Sequence, residues 1–138
     1  ENVLKSVKGF VENKLITVFG CGGDRDKTKR SVMGEISGRY SDLTIITSDN
    51  PRTEEPVDIL RMIEEGIKRT MGRYYVIKDR REAISMALKS AKKGDIILIA
   101  GKGHESYQII NNEVLEFDDK KVAIEAAREE GLLCSNKL

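Results

Sequence analysis

An α/β sandwich with a mostly parallel sheet is the fold this 138-residue sequence predicts, and two patterns carry it. Four short apolar, β-branched runs alternate with segments in which apolar residues recur at helical spacing. The chain then closes on a hairpin pattern and one more helix, an order that puts helices against a parallel sheet. The length suits a single domain over residues 1–138, enough to bury roughly two-thirds of the unfolded surface in one core.

Val3, Val7, Phe10 and Val11, with Leu4 widening the stripe, predict a first helix ending near Asn13. Leu15-Ile16-Thr17-Val18-Phe19 reads as a buried strand, stopped by Gly20-Cys21-Gly22-Gly23 and followed by seven residues of which six are charged, 24–30. Val32, Met33, Ile36 and Tyr40 mark a second helix, whose Gly34 and Gly38 weaken it and suit close packing on the sheet. A second strand spans 43–47, and Leu60, Ile63 and Ile67 set the face of a helix from about 56 to 69.

Joining them is the stretch around which the chain is organised, Thr47-Ser48-Asp49-Asn50-Pro51-Arg52-Thr53-Glu54-Glu55-Pro56. Pro51 fixes its own φ and restricts Asn50, so Asp49, Asn50 and Arg52 are presented at defined angles. Two acceptors and a guanidinium suit a small ligand carrying both charge signs. The alternative is a well-capped turn, with Thr53 as the cap and Glu54 and Glu55 at the positive end of the helix.

Tyr74-Tyr75-Val76-Ile77 is a third strand, and Asp79-Arg80-Arg81-Glu82 has capping-box spacing. The helix it starts shows Ile84, Ala87, Leu88 and Ala91 on one face and ends on Lys92-Lys93-Gly94, a cationic terminus with a left-handed glycine cap. Ile96-Ile97-Leu98-Ile99-Ala100 is the most apolar strand and is expected at the centre of the sheet. Residues 107–110 and 114–117, joined through Asn111-Asn112, predict a hairpin at the sheet edge. Asp118 caps a last helix through Val122 and Ala126 to Gly131, after which the chain is expected to fray.

Charge and composition narrow the function. A net charge of +1, with both signs interspersed, lacks the basic stripe of a nucleic-acid binder, and three Phe, four Tyr and no Trp offer no stacking platform. Cys21 and Cys134 are far apart without metal-ligand spacing, which points to a reduced, cytoplasmic protein and to no metal site. No run reaches membrane-spanning length, and no signal peptide is visible. The chain opens at Glu1 inside a helical pattern, which reads as a piece of something longer.

Three unusual segments, 20–30, 48–52 and 101–105, each follow a strand, so they should meet on the rim where parallel sheets bind ligands. Generic motifs do not account for them. Gly20-Cys21-Gly22-Gly23-Asp24-Arg25 has Arg25 where a dinucleotide fingerprint needs its third glycine. Gly101-Lys102-Gly103 lacks the Ser/Thr and the upstream glycine of a phosphate-binding loop, and Asp26-Lys27-Thr28 is too short a match to a phosphorylated-aspartate motif. His104 is either a loop residue bonded to backbone or a catalytic group.

The strings VFGCGGDRDKTKR, TSDNPRTEEP, DRREAI and ILIAGKGHESYQI, with the closing EFDD before a helix, carry a resemblance over essentially the whole chain. In this order and spacing they resemble the C-terminal domain of the UDP-N-acetylmuramoyl-tripeptide synthetases of the Mur ligase family. The resemblance implies a Rossmann-like domain of a three-domain enzyme whose other domains bind the UDP sugar and ATP with magnesium. It implies a reaction in which ATP activates the carboxylate of UDP-MurNAc-L-Ala-D-Glu and an amino acid attacks the acyl phosphate. The DNPR form resembles ligases that use meso-2,6-diaminopimelate. By that resemblance Arg25, Asp49, Asn50, Arg52, Gly101 and Glu105 match the diaminopimelate site, while Asp24 and Lys27 match positions that approach ATP. The domain alone is then expected to hold neither a catalytic residue nor a cofactor. A free-standing α/β small-molecule binding or phosphatase-like module sharing only this rim is the alternative.

Overall fold

The computed structural model describes residues 1–102 and 105–132. Its elements run α1 (Asn2–Lys8), β1 (Leu15–Phe19), α2 (Thr28–Tyr40), β2 (Leu43–Ile46), α3 (Pro56–Ile67), β3 (Arg73–Val76), α4 (Arg80–Ser90), β4 (Ile96–Ile99), β5 (Tyr107–Ile110), β6 (Glu113–Glu116) and α5 (Asp119–Glu129). His104, Cys134 and the expected fraying after Gly131, from residue 133 on, lie outside the described residues.

Strands β3, β2, β1 and β4 form, in that order, one fully parallel sheet. Alternation along the inner strands divides the core between its two faces. Ile16, Val18 and Ile45 meet Ala83, Ile84 and Ala87 of α4 and Val122 of α5 on one side. Phe19 and Ile46 meet Ile59, Leu60, Ile63 and Ile67 of α3 on the other. Ile45, Ile46, Ile63, Ile67 and Ile84 are wholly buried, each contributing about 1.5–3 kcal/mol of hydrophobic stabilisation.

The apolar strand β4 is at the edge, not the centre; β1 and β2 are the inner strands. Apolarity does not fix a strand's lateral place: the β4 side chains are only half-buried, with Ile97 and Ile99 packed against the α4 face of the core. The hairpin forms through a turn in which Asn111 and Asn112 both have positive φ, 49° and 65°, the left-handed pair that a two-residue connection needs. It pairs as its own two-stranded sheet and meets the organising loop in a parallel bridge, Arg52 to Ile110, and in hydrogen bonds from Gln108 and Ile109.

Four local expectations change. Helix α1 stops at Lys8, capped by Gly9, and buries only Leu4, leaving Phe10 exposed. The α2 glycines pack on α3 rather than on the sheet: a side chain at Gly34 would collide with the Ile63 carbonyl, and one at Gly66 of α3 with the Ser31 carbonyl. Helix α4 ends on the extended Ala91, so Gly94, with φ +90°, serves the following turn and not the cap. Thr53 does not cap α3, whose N-cap position is Glu55 with Pro56 next; its hydroxyl is drawn away to Asp24 at 2.8 Å. Asp79 and Asp118 do cap, each accepting from two backbone amides.

Candidate functional site

The strand order 3-2-1-4 reverses direction between β1 and β4, and the loops leaving these two strands part at the carboxyl edge of the sheet. Such a switch point leaves a crevice that ligands occupy. A cavity of about 360 Å³ opens there, lined by Gly20, Gly22 and Arg25 after β1, Asp49 after β2 and Gly101 after β4, with Lys29 at its side. The three segments singled out in the sequence therefore meet.

Backbone contacts lock the first two segments together. Gly23 N donates to the Asn50 carbonyl at 2.7 Å, and a Cβ on Gly23 would overlap the Pro51 carbonyl, so only glycine lets the loops close this far. Arg52 holds an unusual positive φ of 53° and turns its Nη1 back onto the carbonyls of Gly23 (2.9 Å) and Asn50 (3.4 Å). A Cβ on Gly22 would stand 3.0 Å from Arg52 Nη1 and 3.4 Å from Arg25 Cγ, so the two arginines flank this glycine. Arg25 is exposed, and among the described residues its guanidinium has no ion-pair partner.

The acidic side of the rim is built around Asn50. Its Oδ1 accepts from Ile109 N at 2.9 Å and from Lys102 Nζ at 3.1 Å, and its Nδ2 donates to Glu105 Oε1 at 3.4 Å. Gln108 Nε2 donates to the Asp49 carbonyl at 2.7 Å, and Arg52 and Ile110 carry the bridge to the hairpin. Tyr107 donates its hydroxyl to Glu105 Oε2 at 3.2 Å. Among the described residues Asp49 Oδ1 is buried with no hydrogen-bond partner, and it pairs with Lys102 Nζ at 3.7 Å. Burial raises the Asp49 carboxyl above its ordinary range, with Lys102 and Arg80 opposing the rise and Glu105 and Asp119 adding to it. A buried carboxylate oxygen without a donor asks for an ammonium or another N–H. Gly101, with φ +112°, brings backbone against this carboxylate: a Cβ there would lie 3.4 Å from Asp49 Oδ2.

Of the site residues read from the sequence, Arg25, Asp49 and Gly101 line the cavity, whereas Asn50, Arg52, Glu105, Asp24 and Lys27 do not. Asp24 spends its carboxylate on the Thr53 hydroxyl and the Thr53 amide, bracing the loop. Lys27 is exposed and borders Glu54, Asp58 and Arg61 in a shallow depression. Among the described residues no group of three or more His, Cys, Asp or Glu could hold a metal ion, and no helix is long and apolar enough to cross a membrane. Cys21, a free thiol on the cavity wall, is pushed up to about 11 by burial, which removes it as a nucleophile near neutral pH. A larger groove, about 1040 Å³, opens between the hairpin and the start of α4, and none of the site residues named from the sequence lines it.

Three buried cations under the rim were not read from the sequence. Arg30 grips Glu54 in two parallel bonds (2.8 and 2.9 Å) and donates to the Gly22 carbonyl at 3.0 Å. Arg80 pairs with Asp119 through two bonds of 2.7 Å and donates to the carbonyls of Ser48 and Ala100, the residues just before Asp49 and Gly101. Lys102 is the third. Their one sequence signal was position: Arg30 opens a helix, Arg80 stands between a cap and an exposed arginine, and Lys102 leaves a strand end.

Comparison with known proteins finds relatives of this sequence and fold. A family model described as "Mur ligase, glutamate ligase domain" matches residues 1–103. The UDP-N-acetylmuramoyl-L-alanyl-D-glutamate--2,6-diaminopimelate ligase of Alkaliphilus metalliredigens is 67% identical over 132 residues, covering 96% of this chain and 27% of the relative. The ligase of the same name from Clostridioides difficile is 58% identical over 125 residues, covering 91% and 26%. A solved structure of a ligase of that name superposes with a TM-score of 0.89 at 45% identity, over 94% of this chain and 27% of that one. The chain thus spans about a quarter of the length of these relatives.

Proposed function

Since the chain belongs to the Mur ligase family through its glutamate ligase domain, we propose that it is the amino-acid-binding domain of an ATP-dependent ligase that adds meso-2,6-diaminopimelate to UDP-MurNAc-L-Ala-D-Glu in cytoplasmic peptidoglycan synthesis. The observation that carries this reading is Asp49, whose buried Oδ1 accepts no hydrogen bond among the described residues, on the wall of a cavity that Arg25 also lines. A site with acceptors on one side and guanidinium groups on the other fits the distal end of diaminopimelate, which carries an ammonium and a carboxylate on one carbon. Arg25 and the donors of Arg52 other than its braced Nη1 meet the carboxylate. Asp49, Glu105 and the Gly101 carbonyl accept from the ammonium, and Asn50 holds Glu105 in place.

The reaction chemistry belongs to the rest of the parent ligase. ATP and magnesium supply the activation of the dipeptide carboxylate, and of this chain's residues the exposed Lys27 suits a phosphate, while Asp24 serves chiefly to hold the loop that presents it. The domain by itself then positions the attacking amine and has no ligase activity. Calorimetric titration of the full-length protein with meso-diaminopimelate and, separately, lysine tests the reading. Preferential binding of diaminopimelate is expected, and equal or preferential binding of lysine would overturn it.

A further inference from the structure

Lys102 is a fully buried ammonium, its side chain 0% exposed, at the centre of the acidic side of the rim. Its Nζ lies 3.1 Å from Asn50 Oδ1, 3.7 Å from Asp49 Oδ1 and 5.8 Å above the ring of Tyr107. Burial lowers its pKa, with Asp49 and Glu105 opposing the fall, so the cost of burying the ammonium is set against its pairing with these carboxylates.

The hydrogen bonds say what the charge does. An amide side chain fits a site in two orientations related by a flip, and the donors around it choose between them. Around Asn50 two donors, Lys102 Nζ and Ile109 N, converge on one end. That end must be the oxygen, and the NH₂ is thereby turned to Glu105 Oε1. The flipped amide would set two N–H donors against an ammonium and a backbone N–H and would leave two carboxamide and carboxylate oxygens facing each other. The same ammonium pairs with the Asp49 oxygen that accepts no hydrogen bond among the described residues.

Resting on the diaminopimelate-ligase reading, we propose that Lys102 is a positioning residue of the amino-acid site: it fixes the Asn50 amide so that Glu105 faces the substrate ammonium, and it orients the Asp49 carboxylate toward the cavity. It touches no substrate itself. A general loss of packing would weaken every ligand, whereas this role confines the effect to the amino acid.

Steady-state kinetics of the full-length ligase carrying Lys102→Met tests this, with KM measured separately for diaminopimelate and for ATP and melting temperature recorded alongside. The expected result is a diaminopimelate KM raised roughly tenfold or more, the loss of one charge-assisted hydrogen bond, with the ATP KM little changed even where the melting temperature falls because Asp49 loses its paired cation. An unchanged diaminopimelate KM overturns the proposal, and so does an equal rise in both KM values with a fallen melting temperature. Should Lys102→Met fail to fold, Lys102→Gln keeps a neutral donor for Asn50 and is expected to raise the diaminopimelate KM by a smaller factor; a KM equal to wild type overturns the proposal. A wild-type enzyme that does not ligate diaminopimelate refutes the ligase reading itself, before any variant is compared.

Discussion

Arg30 and Glu54 face each other as a two-pronged ion pair across the rim, Nη2 to Oε1 at 2.8 Å and Nη1 to Oε2 at 2.9 Å, with the arginine side chain 1% exposed and the glutamate 17%. The pair ties the start of α2 to the loop before α3, and Asp24 N joins it by donating to Glu54 Oε1 at 2.8 Å. Its asymmetric burial predicts an asymmetric response. Glu54→Leu strands a buried guanidinium and should cost about 3–5 kcal/mol, whereas Arg30→Met leaves a carboxylate that turns to water and should cost less. Urea unfolding of both variants checks the order.

The same pair sets an acid limit. The bond from Arg30 holds the Glu54 carboxyl down from 4.5 to about 2. A folded-state value below the unfolded one contributes stability that is complete above about pH 4.5 and is lost as pH falls through that value toward 2. Arg30→Met should flatten the fall in melting temperature between pH 5 and pH 3, measured by circular dichroism, relative to wild type.

Replacing a mid-helix glycine with alanine ordinarily stabilises by about 0.5–1 kcal/mol. Gly34→Ala should instead destabilise, by about 1–3 kcal/mol, because the new methyl meets the Ile63 backbone carbonyl of α3, which no side-chain rotation can clear. Thermal melts of the variant give the sign directly.

Arg52 both braces a turn and, on the proposed reading, meets the distal carboxylate. Arg52→Ala should lower kcat/KM for diaminopimelate by about 2–5 kcal/mol, with lysine losing only the smaller share owed to the brace. Arg52→Lys should recover part of the loss, since an ammonium lacks the planar fork. Equal losses for both amino acids, accompanied by a lower melting temperature, would leave Arg52 with the brace alone.

Glu105→Gln keeps the size of the side chain and removes its charge. The full-length ligase should show a raised amino-acid KM and a nearly unchanged ATP KM. Joint rises would move Glu105 from the substrate to the fold, where its contacts with Asn50 and Tyr107 already lie.

What was legible in the chain was local. Asn111-Asn112 announced the hairpin because a two-residue turn demands left-handed backbone there, and Asp79 and Asp118 announced helices because their oxygens reach amides two and three residues on. The meeting of the three loops followed from each of them leaving a strand of one parallel sheet. The lateral place of β4 was not legible, since its apolar side chains say nothing of a neighbour alongside. Nor were the buried cations: Arg30 lies 24 residues from Glu54, Arg80 lies 39 from Asp119, and Lys102 lies 52 from Asn50. Long charged side chains usually reach water, and only the assembled fold reveals which of them do not.

The Arg80 clamp has a bearing on how much chain an amino-acid site requires. Helix α5 contributes no residue to the cavity, yet its Asp119 is the counter-ion of the guanidinium that holds the carbonyls of Ser48 and Ala100. A polypeptide ended by a premature stop at the Asn111-Asn112 turn would retain every residue that lines the cavity and lose the site nonetheless, because Arg80 would be left charged and unpaired beneath both loops. During synthesis, then, this rim gains the counter-ion of Arg80 only after the ribosome has released a helix that contributes no residue to the cavity.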